Sequence, residues 1–231
     1  MTKRGKSYLN AKGKVEEKEY PVGEAISLLK DIKSSRFDES VDISVRLGVD
    51  PKYPEQMVRG IVVLPYGTGK VIRVLAISSG EKQKEAEQAG ADFVGGEEIV
   101  EKIKQENWFD FDVIVSTPDM MKHIGKLGKL LGPKGLMPSP KSGTVTFDIK
   151  NTVSDIKKGR IEFKVDKTGI INSCIGKISF NTNDIVSNIK DFVRAILKAR
   201  PVSLKGRYVK SIYVSSTMSP SIKLSIQEFE K

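Results

Sequence analysis

Gly67-Thr68-Gly69-Lys70 has the residue types of a loop that cradles phosphate. The complete pattern needs a glycine where Leu64 stands and a hydroxyl where Val71 stands, so both flanking requirements fail and the segment reads as a hinge turn. The apolar run ending at Ser78-Ser79-Gly80 could open a dinucleotide fold, but no Gly-x-Gly-x-x-Gly follows it. Asp119 and His123 are one helical turn apart, a spacing suited to general acid–base work. No nucleophile stands beside them, and a surface histidine on a basic helix is the plainer reading. Cys174, the single cysteine, has no His or acid at a telling spacing and reads as a packed residue. One Cys and one His also exclude an internal disulfide framework and a His-rich metal site. We therefore expect no catalytic residue, no metal and no cofactor.

Other residues suit a polyanion. Lys126 to Gly143 holds four lysines, four glycines and three prolines. Glycine lets a backbone come close to phosphates and lysine neutralises them, yet the same composition describes a flexible surface loop. Arg36-Phe37 could place a cation on a phosphate and an aromatic ring on a base, or Phe37 could simply cap a strand. The hydroxyl and thioether of Thr217-Met218 suit RNA 2′-hydroxyls and sugar faces, or an ordinary turn before Pro220.

Those residues sit in a 231-residue chain with 39 Lys plus Arg, 29 Asp plus Glu and a net charge of +10. The charge is segregated. Met1–Lys14 carries five cations and no acid, as does Met120–Phe147, and Lys190–Lys210 carries seven cations against Asp191. Glu81–Asp112 is net −6, which leaves the remainder at +16. A basic surface set apart from an acidic one points to an oriented polyanion contact more than the total does. No apolar segment follows the basic N-terminus and no stretch nears 18 uninterrupted apolar residues. The expectation is a soluble, cytoplasmic protein without a membrane partner.

The elements that must position these residues follow from periodicity. Pro21–Lys33 reads as a helix with Pro21 in its first turn. Val41 to Leu47 alternates as a half-buried strand, and Val58–Leu64 is a second. Val71–Ile77, Asp92–Val94 and Phe111–Val115 are strands separated by helices over Glu81–Ala91 and Glu97–Glu106, with another helix from Met120. Ile161–Val165 and Ile170–Phe180 are strands joined by a turn. A long helix from Thr182 to Ala199, capped by Thr182 or Asn183, precedes a strand over Val209–Ser215. The tail from Ser219 is strand-like or irregular. Antiparallel-type rhythm at both ends with βα alternation between implies a discontinuous α+β domain, residues 1–66 and 160–231. A three-layer, Rossmann-like α/β domain with a parallel sheet, residues 67–159, is inserted into it. Gly67, Gly69 and Gly159 mark the connections as hinges.

Ser116-Thr117-Pro118-Asp119-Met120-Met121 and the Lys126–Gly143 run together resemble the signature of the first large-subunit ribosomal protein family, the L-one family, in its bacterial form. So do Arg36-Phe37-Asp38-Glu39-Ser40-Val41, Val58-Arg59-Gly60, Leu64 to Lys70, Asp166-Lys167-Thr168-Gly169 and Thr217-Met218, in order over nearly the whole chain. The resemblance implies two domains joined by hinges, a monomer when free and a part of the large subunit on the ribosome. It implies binding of large-subunit rRNA to form a mobile lateral stalk, help in releasing deacylated tRNA from the exit site, and repression of the protein's own operon mRNA. Carried over, the RNA site is Arg36, Phe37, Ser40, Asp166, Lys167, Thr168, Gly169, Ser211, Thr217 and Met218, with secondary contacts from Lys126, Lys129, Lys134 and Lys141. Four positions depart from the family pattern: Ser219 for Gly, Lys134 for Arg, Ser139 for Asn and Asn172 for a frequent His. Ser219 stands out, since a side chain there could crowd a close backbone approach. A nucleotide-using enzyme and a general basic nucleic-acid chaperone are the alternative classes.

Overall fold

The computed structural model describes residues 5–204 and 206–229; Lys3 and Arg4 of the basic N-terminus, and Lys205, lie outside them. In chain order the elements are α1 Lys6–Gly13, α2 Val22–Asp31, β1 Ser40–Leu47, β2 Arg59–Val63, β3 Val74–Ile77, α3 Glu81–Gln88, β4 Phe93–Gly95 and α4 Glu97–Glu106. They continue with β5 Val113–Ser116, α5 Met121–Ile124, α6 Gly128–Leu131, α7 Ile149–Lys158, β6 Arg160–Lys164, β7 Ile170–Lys177, α8 Thr182–Lys198, β8 Val209–Ser216 and β9 Ile222–Leu224. Two compact units divide them. The first takes the described residues up to Gly69 and from Ile161 onward, and the second is Lys70–Arg160.

In the first unit β7, β1, β8 and β9 form an antiparallel sheet in that order. Val41, Ile43, Val45 and Leu47 of β1 point into the core, with Ile171 and Ile175 of β7 and Ile212 and Val214 of β8. The helices α2 and α8 supply the facing apolar stripes. In α2 these are Val22, Ala25, Ile26 and Leu29, at the i, i+3, i+4, i+7 spacing of one helical face. In α8 they are Ile185, Ile189, Phe192, Val193 and Ile196. Pro21 is the residue before α2 rather than within its first turn. Likewise Asn181, not Thr182 or Asn183, precedes α8, and its side chain reaches Asp184 instead of a backbone N–H.

Strict alternation puts Val209 on the side of Ser211 and Tyr213, but Val209 is buried. The cause is a β-bulge: Leu47 pairs with Val209 and Arg46 with Ser211, so Lys210 has no partner and the alternation resets around it. A second bulge skips Ile175 opposite Val41–Asp42. The strands β2 and β6 make a separate two-stranded sheet.

In the second unit β4, β3 and β5 are parallel, with β3 central. Leu75, Ile77 and Ile114 pack on one side with Val100 and Ile103 of α4, Ile124 of α5 and Leu131 of α6. Val74, Ala76 and Val115 pack on the other with Ala86 of α3 and Ile149, Val153 and Ile156 of α7. Helices therefore cover both faces of a parallel sheet, the three-layer α/β arrangement expected from the βα rhythm. The expected helix from Met120 is broken into α5, a 3-10 turn over Gly125–Leu127, and α6, because Gly125, Gly128 and Gly132 punctuate it.

Candidate nucleic-acid interface

The helices α2 and α8 occupy only one face of the four-stranded sheet. The other carries Asp42, Ser44 and Arg46 of β1, Asn172 of β7, and Ser211, Tyr213 and Ser215 of β8, all exposed or half-buried. Ser44 donates its hydroxyl to Asn172 Oδ1 at 2.7 Å, so the Asn at the departing position is held in the plane of the face. Cys174 belongs here, half-buried rather than packed in the core, with its Sγ 3.6 Å from the Gly176 carbonyl. Burial pushes its thiol up, away from the reactive thiolate. Burial also pushes the Asp42 carboxyl up, against the Cys174 hydrogen bond and the charge of Lys177, which makes this acid easier to neutralise.

At the Ser40 end of β1 the structure joins segments 177 positions apart. Ser40 N–H donates to Thr217 Oγ1 at 3.1 Å, and Thr217 N–H donates to the Ser40 carbonyl at 3.2 Å. Lys177 Nζ donates to Ser40 Oγ at 2.9 Å. Beneath this junction lies Glu39, fully buried. Its carboxylate accepts from the hydroxyls of Ser35 and Ser216 and, at 3.1 Å, from the Met218 N–H. Burial alone would push that carboxyl up. The three donors outweigh it and hold it below the ordinary glutamate value. The result is a rigid seat on which Phe37 is 50% exposed and Met218 56% exposed. Large apolar groups held in water on fixed backbone are what a base-stacking or sugar-packing contact needs. Arg36 is exposed beside them, while Asp38 is turned away to Ser179, accepting its N–H at 3.1 Å and its hydroxyl at 2.8 Å.

Ser219 does not crowd this seat. Its hydroxyl folds back, accepting the Ser216 N–H at 2.9 Å and donating to the Pro220 carbonyl at 3.0 Å.

Asp166, Lys167, Thr168 and Gly169 lie at the opposite end of β1, where Leu47 N–H donates to the Gly169 carbonyl at 2.9 Å. The Asp166 carboxylate is spent on its own turn. It accepts from the Thr168 hydroxyl at 2.6 Å, the Thr168 N–H at 2.8 Å and the Ile170 N–H at 2.9 Å, and these bonds hold it below the usual aspartate value. Lys167 and Thr168 stay exposed on the turn it braces. Ser211, opposite Arg46, is nearer this end. The ten carried-over residues thus form two groups separated by the length of β1 rather than one pocket. Glu39 and Lys177, which brace the first group, were not singled out from the sequence. Glu39 stood inside a quoted motif, but an acid before a strand carries no signal of burial.

Lys126, Lys129, Lys134 and Lys141 are exposed on the second unit. Lys134 Nζ sits 3.7 Å from the centroid of the Phe109 ring, and Lys126 shares a recess with Glu97, Glu101 and His123. Gly67, Gly69 and Gly159 have φ of 65°, 71° and 107°, a region that favours glycine. Lys70 pairs with Asp112 at 3.0 Å. The segment that contains it leads to β3 and not to a helix N-terminus, so the context of a phosphate loop is missing. No group of three or more His, Cys, Asp or Glu among the described residues could hold a metal ion, and none of their helices is long and apolar enough to cross a membrane.

Residues 28–220 match the model of the Ribosomal protein L1p/L10e family. The chain is 53% identical over 227 residues to the "Large ribosomal subunit protein uL1" of Solibacter usitatus (strain Ellin6076), covering 98% of this chain and 96% of that protein. It is 55% identical over 230 residues to the protein of the same name from Persephonella marina (strain DSM 14350 / EX-H1), covering 98% and 95%.

Proposed function

The chain belongs to the Ribosomal protein L1p/L10e family, a family of ribosomal proteins and not of enzymes, and from that premise we propose that it is a structural constituent of the large ribosomal subunit that binds large-subunit rRNA. The first unit grips the RNA through the face of its sheet opposite α2 and α8 and the junction at Ser40. The second unit makes secondary contacts through Lys126, Lys129, Lys134 and Lys141, and the connections at Gly67, Gly69 and Gly159 act as hinges. On the ribosome the protein forms the mobile lateral stalk and assists departure of deacylated tRNA from the exit site. Free of it, as a monomer in the cytoplasm, it represses translation of its own operon mRNA.

The observation that carries this reading is the junction itself. Phe37 and Met218 are held exposed by hydrogen bonds between Ser40 and Thr217 and by the buried Glu39. An internal structural role would have buried them. Shape, stacking and 2′-hydroxyl contacts of this kind suit folded RNA more than a regular duplex read by sequence.

Binding of the stalk rRNA fragment, in competition with an unrelated hairpin at about 0.2 M salt where non-specific contacts weaken, tests it. The family reading requires preference for the fragment; equal affinity for both would mean a general basic chaperone. Phe37→Ala removes a ring that is half in water, so stability should stay within about 0.5 kcal/mol. Fragment affinity should fall by about 1–3 kcal/mol, the worth of one stacked base. Thr217→Val removes the acceptor of the Ser40 N–H and the hydroxyl proton that would face the RNA. It should cost about 1–2 kcal/mol of fragment binding, and wild-type affinity in that variant would take Thr217 out of the site.

A further inference from the structure

The cation-rich segment from Lys190 to Lys210 has no part in the junction at Ser40, yet the fold brings two of its cations to the other end of β1. Gly48 N–H donates to the Tyr208 carbonyl at 2.7 Å, one residue beyond the bond from Leu47 N–H to Gly169. The segment carrying Arg207 and the turn carrying Lys167 therefore flank the same two residues. A Cβ on Gly48 would stand 2.3 Å from the Arg207 carbonyl oxygen and 3.5 Å from Lys210 Cε, so this close approach depends on Gly48 having no side chain. Tyr208 is buried and donates its hydroxyl to the Ile196 carbonyl at 3.0 Å, tying the segment to α8. The bulge leaves Lys210 unopposed and exposed. Arg46, paired with Ser211 next to it, projects from the face opposite α2 and α8.

Four exposed cations, Arg46, Lys167, Arg207 and Lys210, thus stand on fixed backbone at one end of the sheet. None of them forms an ion pair among the described residues, and the acid nearest in the chain, Asp166, is committed to its own turn. Like charges gathered together repel one another; a polyanion laid across them neutralises them and gains further from releasing its own condensed counter-ions. The eight residues of β1 place this end ~23 Å from the Ser40 junction at a rise of about 3.3 Å per residue, several phosphate spacings along a strand. A folded RNA seated on Phe37 and Thr217 and lying along the open face would meet both.

We propose that Arg46, Arg207 and Lys210, with Lys167, form a second anchor that holds the sugar-phosphate backbone of the same RNA at the Leu47 end of the sheet. This rests on the RNA-binding reading above and divides the labour within it. The Ser40 junction selects the RNA, and this cluster fixes its orientation through salt-dependent phosphate contacts.

Fluorescence titration of the whole chain with the stalk rRNA fragment, repeated across a salt series, tests the division. Arg207→Gln combined with Lys210→Gln should make the slope of log affinity against log salt shallower by about two units, and Arg46→Gln by about one more. Thr217→Val should lower affinity at every salt without altering the slope. Wild-type fragment binding with an unchanged slope in the triple variant, at an unchanged urea midpoint, overturns the anchor and leaves the RNA-binding reading standing. Failure of the wild-type chain to prefer the fragment over an unrelated hairpin overturns both.

Discussion

Glu39→Ala lowers the stability of the first unit by about 3–4 kcal/mol and weakens binding of the stalk rRNA fragment by tenfold or more. The loss comes from what is left behind. Glu39 is fully buried, and its carboxylate is the acceptor for the Ser35 and Ser216 hydroxyls and the Met218 N–H. Each buried donor stranded without a partner costs about 1–3 kcal/mol, and the hydroxyls can rotate toward other acceptors while the Met218 N–H cannot. The side chain's own volume adds a cavity. Glu39→Gln keeps the shape and one acceptor oxygen and should cost about 1–2 kcal/mol. The effect on RNA follows because the Glu39 bonds to Ser216 and Met218 flank Thr217 in the chain. With the carboxylate gone, the Ser216–Ser219 turn keeps only its bonds to Ser40 and loses its tie to the Ser35 loop, so the seat must be ordered in part at the expense of binding.

Acid should reproduce part of the same loss in the unaltered protein. The folded-state value of Glu39 is depressed, so its contribution to stability is present above the ordinary glutamate value of about 4.3 and disappears as pH falls through the lower, folded value. Urea midpoints measured from pH 7 downward should therefore drop in wild type more steeply than in Glu39→Gln, which has no proton to gain there. A Glu39→Ala variant with the wild-type midpoint, or parallel pH profiles for wild type and Glu39→Gln, would remove Glu39 from this role.

The contrast between Glu39 and its neighbours explains how much of the site could be read from the chain. Alternation in β1 and the 3.6-residue stripe in α2 and α8 are properties of the sequence itself, and the structure follows them within one to three residues at most ends. Phe37 and Thr217 were legible only through the family motifs that contain them. No periodicity links two segments 177 positions apart, and an exposed Phe cannot be told from a buried one by type. Glu39 was illegible because burial of an acid depends on donors supplied from two segments far apart in the chain, Ser35 on one side and Ser216 and Met218 on the other. Lys210 was illegible because nothing in Arg207-Tyr208-Val209-Lys210-Ser211 announces a bulge. The helix α7 was missed for another reason. Its N-cap Asp148, whose carboxylate accepts the Asn151 N–H at 3.3 Å, and its terminal Gly159 are ordinary start and stop signals. They were overshadowed by the Gly/Pro/Lys run before them, which carries the family signature while bearing no part of the Ser40 junction.

Asn188 ties down the passage out of the first unit, and Asn188→Leu should destabilise that unit by about 3 kcal/mol. It lies on the apolar face of α8 among Ile185, Ile189 and Phe192, with no exposed surface. Its amide nitrogen donates to the carbonyls of Gly67 at 2.9 Å and Ile175 at 2.8 Å, and its oxygen accepts the Tyr66 N–H at 3.2 Å. One side chain thus satisfies three main-chain groups and pins Tyr66–Gly67 to α8 and β7. Leucine keeps the branching and heavy-atom count of asparagine and is somewhat larger, so no cavity cost enters, and the loss comes mainly from three buried main-chain groups left unpaired at about 1 kcal/mol or more each. Ser187→Ala is the fitting control. The Ser187 hydroxyl only bonds back to the Asn183 carbonyl on the exposed side of the same helix, and its loss should stay within about 0.5 kcal/mol. Amide hydrogen exchange gives the local readout, because the Tyr66 N–H should lose its protection in Asn188→Leu at urea concentrations where the amides of α8 keep theirs. If the hinge proposed at Gly67 and Gly69 is right, this anchor fixes where bending can begin. Asn188 holds the Tyr66 N–H and the Gly67 carbonyl, so in the proposed hinge the bonds on the far side of the Gly67 carbonyl, toward Gly69, are the ones left to turn. Unchanged Tyr66 protection in Asn188→Leu would mean that the turn is held by its own geometry and that Asn188 sets no boundary for the hinge.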